Sequence, residues 1–558
     1  MLNKLCALLL IISVFSGAPL YADSHKAAIA SAHPLATAAG FEVLAKGGNV
    51  YDAAVAVSAA LAVLEPFGSG LGGGGYWLLH RQKDGFETMI DGREKAPLAA
   101  HKDMFLNKNG QVIPKLSIDG ALAAAIPGLP AALVHIAEQY GQLTLAESLS
   151  PAIRYAKTGF SLSERYLKIL KVRAEVLNVY PDSAAIFLTG GKLPELYSIL
   201  RQPDLAQTLE RLAESGRDGF YSGATADNLV NAVQKAGGIW TKADLEAYQV
   251  LEREPVKGVY QGIKITSAAP SSSGGIVLIE ALNILSGYDL QHSDELTRKH
   301  LIAEALRRAF HDRSLYLGDA DFIDIPVKRL LNEEYAAGLR SSLRVDKAMP
   351  SELMSGEIKS QSEGTNTTHF SIIDEEGNRM AATLSVNFPF GSAFVAKGTG
   401  VLLNDEMDDF VSLPGAMNGY GLIGGYANAI APGKRMLSSM TPTFLEDENH
   451  VGVLGTPGGS RIISMVLLAL LDFANGHGPE SWVQVPRFHH QFMPDVIEYE
   501  QSAFSAAELT GLSSMGHQLK PARYAYGDMQ AVQLIKATKV LAAASDKRGE
   551  GKSFVGQY

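Results

Sequence analysis

Thr367-Thr368-His369-Phe370-Ser371-Ile372-Ile373-Asp374 is the stretch on which the fold turns. Phe370, Ile372 and their neighbours are aromatic and β-branched, the composition of a strand. Glu375-Glu376-Gly377-Asn378 is a turn signal, and residues 380–386 have the character to run back as a second strand. Thr367 therefore stands at the open end of a β-hairpin. A threonine hydroxyl is a weak nucleophile until a base takes its proton. If the peptide bond before Thr367 is cut, the freed α-amine, with a pKa of about 8, sits on the same residue and serves as that base. By itself Thr-Thr-His is an ordinary piece of strand, so its weight depends on its surroundings.

Just upstream, residues 347–366 are polar and serine-rich and read as a flexible linker. Flexibility before a cleavage point lets two new chain ends separate. Downstream, residues 451–454 form an apolar run ending at Gly455, and residues 460–473 read as an apolar helix. Gly458 and Gly459 thus fall at a helix N-terminus, where free backbone N–H groups favour negative charge. His489-His490 lacks acidic or thiol ligands at a usual spacing, so these histidines read as structural and no metal is expected.

Further upstream, residues 27–48 read as one helix and residues 53–64 as an alanine-rich second, capped by Asn49 or Asp52. Gly68-Ser69-Gly70-Leu71-Gly72-Gly73-Gly74-Gly75 precedes a strand at 76–80 and no Gly-Lys-Ser follows, so close backbone packing explains it better than a phosphate cradle. A strand at 88–91 delivers Arg93. Residues 128–343 read as mainly helical, with apolar helical spacing at 131–140 and 296–317. Ala268-Ala269-Pro270-Ser271-Ser272-Ser273-Gly274-Gly275 interrupts them, and its serines read as structural because no base stands near them in sequence.

With 558 residues, 46% hydrophobic and 19% charged, the chain buries a large core. Its net charge of −10 argues against a nucleic-acid partner. Residues 1–22 have the form of an export signal: Lys4, an apolar run at 5–15, and Leu20-Tyr21-Ala22 before Asp23. The run is too short and too soon broken by Gly17 and Pro19 to span a membrane. The one cysteine, Cys6, lies inside it, so removal of the signal leaves no thiol for disulfides or catalysis. A periplasmic or secreted protein of a bacterium is the expectation, with no membrane association after the signal is removed.

Four further segments complete the pattern: Asp91-Gly92-Arg93-Glu94-Lys95-Ala96-Pro97, Asn404-Asp405-Glu406-Met407-Asp408-Asp409-Phe410, Met436-Leu437-Ser438-Ser439-Met440-Thr441-Pro442-Thr443, and Gly455-Thr456-Pro457-Gly458-Gly459-Ser460-Arg461. Together with the Thr367 stretch, and in this order, they resemble the γ-glutamyltransferase (γ-glutamyltranspeptidase, glutathione hydrolase) family from about residue 24 to the C-terminus. The resemblance implies an α+β N-terminal-nucleophile hydrolase fold, an αββα sandwich of two stacked antiparallel sheets between helical layers. It also implies self-cleavage between Asn366 and Thr367, giving a large subunit of residues 23–366 and a small one of residues 367–558, interleaved in one unit. By the resemblance, Thr367 is the nucleophile and Gly458 and Gly459 form the oxyanion hole. Arg93, Ser438 and Ser439 clamp the substrate α-carboxylate, while Asn387, Glu406 and Asp409 receive its α-ammonium. Ser385 stands where many members have a threonine bonded to the nucleophile; serine keeps the hydroxyl but loses the methyl that restricts its rotamer. Residues 414–425, with Tyr420, match the lid loop of bacterial members. No cofactor is implied. The implied substrates are glutathione and other γ-glutamyl compounds, with water, amino acids or dipeptides as acceptors. Two other readings stay open at this level: a same-fold amidase with a different acyl group, such as a glutaryl-cephalosporin acylase or an enzyme of poly-γ-glutamate, and a solute-binding relative without turnover.

Overall fold

The computed structural model describes residues 25–355, 367–413, 415, 418–419 and 421–558. Its core is built on thirteen strands: β1 Lys26–Ser31, β2 Gly74–Arg81, β3 Phe86–Gly92, β4 Leu251–Arg253, β5 Val256–Tyr260, β6 Ile263–Ser267, β7 Thr368–Asp374, β8 Arg379–Ser385, β9 Thr443–Glu446, β10 His450–Gly455, β11 Gln530–Ile535, β12 Val540–Ser545 and β13 Lys552–Gln557. They make a seven-stranded sheet in the order β13-β1-β7-β8-β2-β3-β4 and a six-stranded sheet in the order β12-β11-β10-β9-β6-β5. Every pairing within both sheets is antiparallel.

The hairpin forms where its sequence places it, with Thr368 opposite Leu384 and Ile373 opposite Arg379. Asp374 ties the turn by accepting from the N–H groups of Glu376, Gly377 and Asn378. Strand alternation then sends side chains to two different cores. Phe370 and Ile372 pack on one face with α1 (Pro34–Ala45), α2 (Val50–Leu64) and α3 (Leu129–Tyr140). The opposite face meets the second sheet: Ser371 Oγ donates to the Gln530 carbonyl at 3.0 Å, and Ile373 joins the apolar cluster of β9, β10 and β11. Beyond the second sheet lie α4 (Gly274–Leu285), α5 (Glu295–Tyr316) and α6 (Arg461–Ala474). Helices, sheet, sheet, helices is the αββα sandwich.

One expectation needs correction. Residues 27–48 are not one helix: β1 occupies Lys26–Ser31 and α1 begins at Pro34 behind the cap His33, whose Nδ1 accepts from the Leu35 N–H. Alanine favours helix intrinsically, but here backbone pairing with β7 on one edge and β13 on the other outweighs that preference, and Ala27, Ala28 and Ala30 are buried on the two faces of the strand. Residues 128–343 are mainly helical, as read, with β4, β5 and β6 interrupting the helices. Ile263 and Ile265 are buried on alternate positions around exposed Lys264, a period of two that marks a strand.

Other readings hold locally. Asn49 caps α2 and Asp52 returns the bond to the Asn49 N–H, a reciprocal box. The glycine run packs backbone on backbone: a Cβ on Gly72 would lie 2.0 Å from the Leu402 carbonyl oxygen and one on Gly73 2.1 Å from that of Ser385. Among the described residues no helix is long and apolar enough to cross a membrane. The export signal, Asn366 and Tyr420 lie outside the described residues.

Candidate active site

The topology brings the scattered segments to one end of the sandwich. Thr367 precedes β7, and antiparallel pairing puts the end of β8, Ser385, beside it. Ser385 faces Gly74 of β2, and Gly75 faces Gly92 of β3, so Arg93 emerges at the same edge. In the second sheet, the turn after β10, the segment before β9 and the segment after β6 open at that end too. Thr367, Ser385, Asn387, Arg93, Glu406, Asp409, Ser438, Ser439 and Gly459 line one cleft. Gly458 is not among the lining residues; it turns the chain just behind, and a Cβ there would lie 2.6 Å from Met465 Cε.

Thr367 is half-buried at the cleft floor. Its neighbour Thr368 points the other way and donates to Glu65 Oε2 at 2.8 Å, which fixes the first turn of strand below the candidate nucleophile. Ser385 Oγ accepts from the Asn387 N–H at 2.8 Å, and Asn387 Nδ2 donates to the Asp405 carbonyl at 3.0 Å. Asn387 has φ 74°, a left-handed conformation that asparagine adopts more readily than most residues. Gly459, with φ 58°, leads into α6 through Ser460.

The charged wall is dense. Arg93 is almost wholly buried, with one guanidinium nitrogen 2.6 Å from Glu406 and 3.4 Å from Glu94, and the other 2.5 Å from Asp409. Burial opposes its charge, but Glu406, Glu94 and Asp409 outweigh that and hold the guanidinium above its ordinary value. Three carboxylates exceed what one guanidinium neutralises. Burial, with Asp409 and Asp91 nearby, pushes Glu94 up to about 7 against the pull of Arg93. A wall with surplus carboxylate beside a fixed cation suits a ligand carrying both an ammonium and a carboxylate.

Beside it lies the serine wall, joined to Arg93 through the bond from the Arg93 Nε to the Met436 carbonyl at 3.4 Å. The Ser438 carbonyl accepts from Ser273 N–H (2.8 Å) and Oγ (2.7 Å), and Ser272 Oγ donates to the Met440 carbonyl at 2.6 Å. Ser271 to Ser273 are therefore the scaffold that holds Ser438 and Ser439 in place, as their sequence reading implied. One cleft residue escaped the sequence: Arg313 of α5, buried, donates to Ser439 Oγ at 3.3 Å and to Ser273 Oγ at 3.0 Å. Over the cleft, Asn418 Nδ2 donates to Asp409 Oδ1 (3.3 Å), the Gly419 N–H to Asp408 Oδ2 (2.8 Å), and Leu422 lines the opening. His489 and His490 are engaged elsewhere, with Ser464, Gln491 and Asp495.

A candidate threonine at the open end of a central hairpin, in a sandwich of two antiparallel sheets between helices, defines the class of N-terminal-nucleophile hydrolases. Within that class the family is fixed by comparison: the family model described as Gamma-glutamyltranspeptidase matches residues 36–556, and the chain belongs to that family. It is 43% identical over 510 residues to the glutathione hydrolase proenzyme of Pseudomonas sp. (strain A14), covering 90% of this chain and 88% of that one. It is 40% identical over 526 residues to the glutathione hydrolase proenzyme of Escherichia coli (strain K12), covering 93% and 90%. The crystal structure of a cephalosporin acylase from Bacillus halodurans superposes with a TM-score of 0.84 at 28% identity, covering 95% and 96%.

Proposed function

We propose that Thr367 is the nucleophile with which this chain first cuts itself and then transfers γ-glutamyl groups. The activity is that of a self-processing glutathione hydrolase and γ-glutamyltransferase. Thr367 Oγ attacks the Asn366 carbonyl, and the acyl group shifts from nitrogen to oxygen. Water opens the resulting ester, leaving residues 23–366 and 367–558 as two subunits of one fold. The freed Thr367 amine then takes the hydroxyl proton in each turnover.

In turnover, Thr367 Oγ attacks the γ-amide carbon of glutathione or a related compound. The tetrahedral oxyanion is met by N–H groups at Gly458 and Gly459, each such donor being worth about 3 kcal/mol. The C–N bond breaks, the departing amine takes a proton, and a γ-glutamyl ester remains. Water, or the amine of an amino acid or dipeptide, attacks the ester and restores the hydroxyl. Arg93, Ser438 and Ser439 bind the α-carboxylate; Asn387, Glu406 and Asp409 bind the α-ammonium. Ser385 supports the nucleophile, and the loop bearing Tyr420 closes the cleft. The chain is exported by residues 1–22 and works in the periplasm or outside the cell.

The observation that carries this reading is the convergence of Thr367 with Arg93, Glu406, Asp409 and Ser439 in one cleft. The structural likeness to a cephalosporin acylase raises a glutaryl group as the other candidate. A glutaryl chain has no α-ammonium and would bring no second cation to Glu406 and Asp409, which share the single charge of Arg93 with Glu94. Intact mass and N-terminal sequencing of the wild type beside Thr367→Ala test the nucleophile. Two wild-type fragments, one beginning at Thr367, are expected, with the variant uncut and inactive. A single uncut, folded and active wild-type chain refutes it.

A further inference from the structure

The other deeply buried arginines are paired with carboxylates. Arg93 meets Glu406, Arg307 and Arg308 share Glu304, Arg379 meets Glu446, Arg435 meets Asp91, and Arg487 meets Asp546. Arg313 differs: among the described residues it forms no ion pair, and its hydrogen bonds go to two neutral hydroxyls, Ser273 Oγ and Ser439 Oγ. A buried cation without a counter-ion is costly unless something charged arrives to meet it. Burial pulls its pKa down to about 10, with Asp409 the opposing influence, so the guanidinium stays protonated at neutral pH. It also lines the cleft.

Arg93 is the expected anchor for a substrate carboxylate, yet its charge is already shared among Glu406, Asp409 and Glu94. The uncommitted positive charge on that side of the cleft belongs to Arg313. A serine hydroxyl has one proton to give and two lone pairs. Because Ser439 Oγ accepts from Arg313 Nη2, its own proton is free to point into the cleft. Ser273 is held the same way: it accepts from Arg313 Nε and spends its proton on the Ser438 carbonyl, fixing the segment that carries both cleft serines.

We propose that Arg313 is a positioning and charge-supplying residue for the α-carboxylate of the γ-glutamyl group, acting through Ser439, whose hydroxyl it turns toward the substrate as a donor. This rests on the reading that the cleft binds a γ-glutamyl head group. Arg313 makes no contact with the scissile amide in this scheme, so it sets affinity for the carboxylate and not the rate of bond breaking.

The test uses the full-length chain as wild type, Arg313→Gln, Arg313→Lys and Ser439→Ala, each first checked by intact mass for cleavage at Thr367. Two substrates are compared: L-γ-glutamyl-p-nitroanilide and the same compound with its α-carboxylate converted to a carboxamide. Arg313→Gln is expected to raise KM for the carboxylate substrate about tenfold or more, the effect of one hydrogen bond to a charged group, with kcat little changed. KM for the carboxamide should shift by less than about twofold, the remainder expected when no charge is at stake. Arg313→Lys should recover part of the loss, and Ser439→Ala should reduce the preference for carboxylate over carboxamide to about the extent that Arg313→Gln does. Equal shifts for both substrates, or a fall in kcat alone, overturn the proposal. Should Arg313→Gln not mature, Ser439→Ala decides: an undiminished carboxylate preference overturns it. A wild type that cleaves itself but turns over neither compound instead refutes the γ-glutamyl reading.

Discussion

Asp409 lies 2.5 Å from Arg93 and accepts from the Asn418 amide at 3.3 Å, so it joins the charged wall to the loop over the cleft. If it receives an α-ammonium, removing its charge costs a charged hydrogen bond while the shape of the side chain is kept. Asp409→Asn should lower kcat/KM for a γ-glutamyl anilide by about 10- to 100-fold. The corresponding glutaryl anilide, which lacks the ammonium, should be turned over at nearly the wild-type rate. A matching loss on both anilides would remove Asp409 from substrate recognition. At this scale most of the cleft was legible, because Arg93, Ser438, Ser439, Glu406 and Asp409 sit in short motifs in the right order. Arg313 was not. It shares α5 with Arg307 and Arg308, and nothing in the sequence separates an arginine neutralised by Glu304 from one left unpaired; only the packing does.

At the scale of elements, the two sheets meet through His369 and Gly455. The His369 ring is held by Thr383 Oγ1 at 2.8 Å and Ser371 Oγ at 3.1 Å, and burial lowers its pKa to about 3, so it is neutral. A Cβ on Gly455 would lie 2.3 Å from His369 Cε1 and 2.5 Å from Nδ1, and the bonded ring has nowhere to move. Gly455→Ala should therefore cost about 1–3 kcal/mol by overpacking. Gly85→Ala, in the open turn of the β2–β3 hairpin, has φ +67° and nothing within 4 Å, so it should cost only the left-handed strain of about 1–2 kcal/mol and leave self-cleavage intact. Denaturant titration together with the fraction cleaved at Thr367 distinguishes them: retained cleavage in Gly455→Ala would show that the sheets can separate without harm to the site. Element type was readable where local pattern and tertiary setting agree, as in the β7–β8 hairpin and in α6. It failed at β1, whose alanines signal helix locally and become strand because the segment's backbone pairs with β7 on one edge and β13 on the other.

At the scale of the molecule, the candidate cut at Thr367 divides a chain whose two parts both contribute strands to each sheet. In the first sheet β1, from before the cut, lies between β13 and β7 from after it, and β8 pairs with β2 across the division; in the second sheet β9, β10, β11 and β12 from after the cut join β5 and β6 from before it at the β9–β6 pairing. The pieces should stay together without a covalent link, co-eluting in size exclusion and separating only in denaturant. One buried contact across that division makes stability depend on pH. Asp528, from the later part, lies 3.2 Å from Arg165 of the earlier part and accepts from Gln530 Nε2 at 2.7 Å. Burial pushes its pKa up to about 8; Arg165 pulls it down, and Glu65 and Asp546 push it further up. Its folded value thus exceeds the ordinary aspartate value of 3.8. The folded state holds this proton more tightly than the unfolded chain does, so the contribution to stability is complete below pH 3.8 and is lost as pH rises to about 8. Asp528→Asn keeps an acceptor for Gln530 and has no proton to lose. Relative to wild type, its melting temperature should rise steadily between pH 5 and pH 8 and then level off. A difference that stays constant over that range would mean that Asp528 is ionised throughout and that Arg165 alone balances its burial.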